Sequence, residues 1–183
     1  HHFAAGPHLC GGSLASAWHP LASGTYYSAE FWLVSEFVES SGRLFAWMGT
    51  PGKLLCLDTQ ANGGAGAACA GQPFSFAGVN SGYFQRSTLK VSEGLVYGSA
   101  SSVTGPVDNA TAGTVTGYFA TCFDPLQLRP CTGWEQPKPL ADIAHVIYEL
   151  PTPAGDVQGV CFEDFTPGPE VPQCFARNGR SIT

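Results

Sequence analysis

The chain has 183 residues, enough for one sizeable core, so a single repeat domain spanning 1–183 is expected. Only 12% of residues are charged, and 8 Lys and Arg against 14 Asp and Glu leave a net charge of −6, which argues against a nucleic-acid partner or an anionic membrane surface. No stretch approaches the roughly 18 uncharged apolar residues that span a bilayer, and 23 Gly with 14 Pro between short apolar runs favour strands and turns over helices.

Seven cysteines organise the chain. Six form three units: Leu55-Cys56-Leu57-Asp58 closing at Cys69-Ala70-Gly71, Thr121-Cys122-Phe123-Asp124 closing at Cys131-Thr132-Gly133, and Val160-Cys161-Phe162-Glu163-Asp164 closing at Cys174. Equivalent points recur about every 50 residues, a period typical of stacked or radially arranged β-units. Zinc sites want cysteines two to four residues apart, whereas the spacings here are C-x12-C, C-x8-C and C-x12-C. The expectation is therefore one disulfide per unit (Cys56–Cys69, Cys122–Cys131, Cys161–Cys174) and an oxidising, extracellular location.

In chain order, residues 1–24 read as the end of a preceding unit, because Cys10-Gly11-Gly12 matches only the closing half of the pattern. The partner of Cys10 is then expected outside this sequence. On that reading the chain is part of a larger assembly, either a piece of a longer polypeptide or a chain that meets copies of itself. The alternative is a complete sandwich with a free or intermolecular Cys10. Residues 25–80 form the first full unit, with a strand in Tyr26–Val38, a second at Leu44-Phe45-Ala46 and a connector at Met48–Gly52 before the cysteine strand.

Residues 81–140 repeat this plan: a strand in Gly82–Val91, then Leu95-Val96-Tyr97 aligned with Leu44-Phe45-Ala46, then an expected turn-rich connector over Ser99–Gly117. Residues 141–183 form an atypical third unit, with Val146-Ile147-Tyr148 before the cysteine strand. There the acidic residue falls one place late, at Asp164, and the closing Cys174-Phe175-Ala176 lacks the glycine. Each unit reads as at least one antiparallel hairpin, and four strands in a unit would make a propeller blade.

The unit is clearest as Leu95-Val96-Tyr97, Cys122-Phe123-Asp124-Pro125 and Cys131-Thr132-Gly133-Trp134. It resembles the disulfide-bearing, kelch-type or quinoprotein-type propeller blades of large secreted bacterial surface proteins. The resemblance spans roughly residues 40–175. It implies an all-β fold of blades forming a partial propeller, and a recognition or structural role rather than an enzymatic one. Function by this route is analogy, since one fold hosts many activities.

Several residues invite a chemical reading. A mature N-terminal histidine can hold copper with a second histidine, as in the secreted polysaccharide monooxygenases; His1 would be the ligand here, with His2, His8, His19 and His145 as candidate partners. No G-x-S-x-G elbow supports Ser13 or Ser81 as a nucleophile, and His145 is expected as an ordinary strand residue beside Val146. Asp58, Asp124 and Asp164 recur once per unit, so a turn-capping role is expected rather than calcium binding or a glycosidase pair. Asn109-Ala110-Thr111 has the N-glycosylation pattern. Among the tryptophans, Trp134 precedes Glu135-Gln136-Pro137-Lys138-Pro139, a segment expected to be exposed, and it is the chosen contact residue.

The leading function is a non-enzymatic structural or recognition module of a cell-surface or secreted assembly, without a cofactor. Its partner would be a protein, a glycan or other copies of the chain. Its exposed sites would be Trp134 and the Ser99–Thr116 loop. The alternatives are a copper-dependent monooxygenase using His1, or a carbohydrate-binding module using surface tryptophans.

Overall fold

The computed structural model describes residues 8–9, 12–13, 35–48, 53–79, 88–107, 112–164 and 171–182. A short hairpin comes first, β1 (His8–Leu9) with β2 (Gly12–Ser13). Three larger antiparallel sheets follow in sequence order, and no α-helix occurs among the described residues. The first contains β3 (Val38–Ser40), β4 (Arg43–Met48), β5 (Lys53–Asp58) and β6 (Ala67–Ala68), with β7 (Phe74–Ser75) also on β5. The second contains β8 (Thr88–Ser92), β9 (Leu95–Val107), β10 (Ala112–Asp124) and β11 (Arg129–Pro130), with β12 (Lys138–Leu140) also on β10. The third is a meander of β13 (Val146–Pro151), β14 (Val157–Glu163), β15 (Gln173–Ala176) and β16 (Ser181–Ile182).

Two hairpin turns show how sequence sets the local geometry. Ser41-Gly42 joins β3 to β4 and Glu93-Gly94 joins β8 to β9, and all four residues have positive φ (57°, 73°, 47° and 77°). That is the two-residue turn whose twist matches the flanking strands, and it explains the glycine in each aligned segment. The closing cysteines of the first two units also start matching turns. The Cys69 and Cys131 carbonyls accept bonds from the amides of Gln72 (3.2 Å) and Trp134 (2.9 Å), with Gly71 and Gly133 at positive φ. This is why the motif reads Cys-x-Gly.

The sheets stack face to face through alternate residues. Phe45, Trp47, Leu54 and Cys56 lie on one face of the first sheet and pack on Val96, Ala100 and Phe123 of the second. The opposite face of the second sheet carries Leu95, Tyr97, Ala120 and Cys122, which pack on Ile147, Val160, Phe162 and Phe175 of the third. The middle sheet is thus buried on both faces. At one edge of the stack, β3 and β13 both lie against β8. Hydrogen bonds tie the sheets there, from Ser40 Oγ to the Gly94 carbonyl (2.8 Å) and from Thr88 Oγ1 to the His145 carbonyl (3.3 Å).

The three disulfides are Cys56–Cys69, Cys122–Cys131 and Cys161–Cys174. Their opening cysteines lie opposite an aromatic residue: Phe45 pairs Cys56, Tyr97 pairs Cys122 and Tyr148 pairs Cys161. The third unit differs in register. Cys174 lies inside β15, directly opposite Cys161, so it starts no turn and needs no glycine.

One expectation is corrected. The stretch Ser99–Gly117 is mostly not a connector: β9 and β10 are 13-residue strands forming one long hairpin. Ser99 and Ser101 are fully buried rather than exposed. Ser99 and Ser101 share the strand face that packs on the third sheet, and Ser99 Oγ accepts a bond there from the Ala144 amide at 2.9 Å. Only the tip, 108–111, with Asn109, lies outside the described residues.

Candidate functional site

Trp134 is also corrected: its side chain is completely buried. Its ring meets Tyr97 and Phe175 edge-on at 5.7 and 5.5 Å, and its Nε1 donates to the Arg177 carbonyl at 3.0 Å. A side chain without exposed surface offers a ligand no contact area; Trp134 is instead the wedge between the second and third sheets. The following segment is exposed at Glu135, Gln136 and Pro139. The Glu135 carboxylate is held below the usual range by hydrogen bonds from its own amide and that of Gly133, and Lys138 Nζ lies 5.8 Å from the Trp134 ring centre.

The recurrent aspartates cap turns in the first two units. Asp58 Oδ1 accepts from the amides of Gln60 and Ala61 (3.0 and 3.1 Å), and Asp124 Oδ1 accepts from those of Leu126 and Gln127 (2.9 and 3.1 Å). Asp164, one place late, instead meets His145 Nδ1 at 2.6 Å. His145 therefore sits in a hydrogen-bonded contact just before β13, and Asp142 spends its Oδ1 on the Ile143 amide. Beside this pair, a cavity of about 180 Å³ is lined by Asp142, Glu163 and Asp164 with Phe162, Val171 and Pro172 among others. Among the described residues that line it there is no hydroxyl or thiol nucleophile. Among the described residues no three His, Cys, Asp or Glu side chains come together to hold a metal ion. His1, His2, Cys10, His19, Trp18, Trp32 and Ser81 lie outside the described residues, and His8 and Ser13 are placed only as backbone in β1 and β2.

Two surfaces emerge that sequence reasoning missed. One is the cysteine face of the third sheet. Phe45 and Tyr97, beside the first two disulfides, are 0% and 3% exposed, and Cys69 and Cys131 are 6% and 5% exposed. In the third sheet the opening Cys161 is buried like its counterparts, but Tyr148 and Cys174 are only half-buried, as are Val146, Leu150 and Ile182 on the same face. The other is a cleft of about 420 Å³ between the second and third sheets, lined by Leu95, Asp124, Thr132, Gln158, Arg177 and Asn178 among others. The ladders also correct the sequence alignment by one residue: Leu95 corresponds to Arg43 rather than Leu44, and Tyr97 to Phe45, because the two-residue turns are Ser41-Gly42 and Glu93-Gly94. Compared with protein families, with curated proteins and with solved structures, the chain matches none.

Proposed function

We propose that the chain is a non-enzymatic structural and recognition module of an extracellular, cell-surface or secreted assembly, built from propeller-type blades. The observation that carries the proposal is the stacking rule: the cysteine face of each of the first two sheets is covered by the next sheet, and that of the third is only half-buried. First strands lying side by side, β3 and β13 each against β8, support a radial arrangement of blades. Three intrachain disulfides support an oxidising compartment.

The partner on this half-buried face is another copy of the chain. The face continues the internal stacking interface and presents Val146, Tyr148, Leu150 and Ile182 around a disulfide, which favours burial against another sheet. Sedimentation equilibrium tests this. The wild-type chain is expected to self-associate with increasing concentration, and Tyr148→Glu to stay monomeric with an unchanged fold. A wild-type chain that is monomeric throughout contradicts the proposal.

A further inference from the structure

If the stack simply continued, the half-buried cysteine face of the third sheet would meet the non-cysteine face of another sheet. In this chain those faces are already used. Val96, Ala100 and Phe123 of the second sheet pack on the first, and Ile147, Val160, Phe162 and Phe175 of the third pack on the second. In the first sheet Ala46 and Leu55 lie opposite each other on the face turned away from Phe45 and Cys56. They are 0% and 1% exposed. That face is therefore closed to a second copy. Head-to-tail addition, which builds rings or filaments, has nowhere to dock.

The third sheet's cysteine face has what a self-complementary contact needs. Val146, Tyr148 and Leu150 of β13 run along it beside the Cys161–Cys174 disulfide, whose two cysteines pair directly across β14 and β15. Ile182 extends the patch from β16: its Cδ1 lies 2.8 Å from where a Cβ on Gly159 would stand, so it leans across β15 toward β14. The apolar surface thus reaches over all four strands. Glu163, at the end of β14 on this face, accepts a hydrogen bond from the Tyr148 hydroxyl, which gives its carboxylate a partner within the chain. Two such faces brought together remove apolar area from water on both sides.

We infer that the association is isologous: the cysteine face of the third sheet packs on the same face of a second copy, about a two-fold axis, and the assembly closes at two chains. Each Tyr148 and each Cys161–Cys174 disulfide then lies between two sheets, as Phe45 with Cys56 and Tyr97 with Cys122 do within the chain. The contact is sheet on sheet, with strands of the two copies roughly aligned. This inference rests on the self-association reading and names the surface that the partner copy contributes.

The test joins sedimentation equilibrium of the full chain to photo-cross-linking from p-benzoylphenylalanine placed at Leu150, in an equal mixture of unlabelled and heavy-nitrogen-labelled chains. The mass is expected to rise with concentration and level at twice that of the chain. Cross-links of mixed isotope should join residue 150 to β13–β16 of the other copy. Leu150→Arg should weaken the dimer about tenfold or more, because it places an unpaired charge in the contact. Leu44→Lys, on the closed face of the first sheet, should leave the dimer unchanged. A mass that climbs past two chains, mixed-isotope cross-links from residue 150 to the first sheet, or a folded Leu44→Lys chain that no longer associates overturns this inference alone. A wild-type chain that stays monomeric at every concentration overturns the self-association reading and this inference with it.

Discussion

Burial lifts the Tyr97 phenol from its ordinary 10.0 to about 12, with Arg177 lowering it and Glu93 raising it in smaller measure. The unfolded chain therefore loses this proton first as pH rises. The stability that the neutral phenol contributes is intact below about pH 10 and is lost as pH climbs through about 12. Denaturant unfolding across that range should show a fall of about 2–3 kcal/mol in the wild-type chain that Tyr97→Phe lacks. Its neighbour Trp134 carries a larger packing share: Trp134→Ala should lower unfolding free energy by about 3–5 kcal/mol. At this scale the sequence was partly legible. Asp58 and Asp124 cap turns as their position after a strand predicts, and Asp124-Pro125 marks the turn directly. Trp134 was not legible, because the polar residues after it lie at the surface while a tight turn swings its own ring inward; composition along a chain does not report direction across it.

Gly133 and Gly179 decide how closely the second and third sheets approach. Both have positive φ (84° and 75°), and a Cβ on Gly133 would fall 2.1 Å from the Asn178 carbonyl oxygen. Gly133→Ala combines backbone strain with a backbone clash and should cost about 2–4 kcal/mol in thermal or denaturant unfolding. The matched Gly94, with open space around it, isolates strain from clash: Gly94→Ala should cost only about 1 kcal/mol. Replacing both Cys122 and Cys131 by alanine should remove about 2–3 kcal/mol, the scale of closing a short loop. At the scale of elements, cysteine spacing and the x-Gly turns mark the hairpins, because each demands a special backbone conformation that few residues supply. The long β9–β10 hairpin was missed: its Ser, Thr and Gly content resembles a loop, and the burial that makes it a ladder comes from sheets distant in sequence.

Across the whole molecule, the first two of the three large sheets obey one stacking rule, in which a face bearing a disulfide and an aromatic residue is covered by the aliphatic and aromatic face of the next. The repeat in the sequence conveys that units exist. It does not convey which face of each is covered, because a strand's alternation distinguishes two faces without saying what lies beyond either. The half-buried face of the third sheet is visible only once the stack is assembled, and it carries the proposed self-association. The most direct test is hydrogen–deuterium exchange followed as a function of protein concentration. The account predicts that amides of β13, β14 and β15 gain protection as concentration rises, that the first sheet is unchanged, and that Tyr148→Glu abolishes the gain. Exchange in β13, β14 and β15 that is independent of concentration would contradict it.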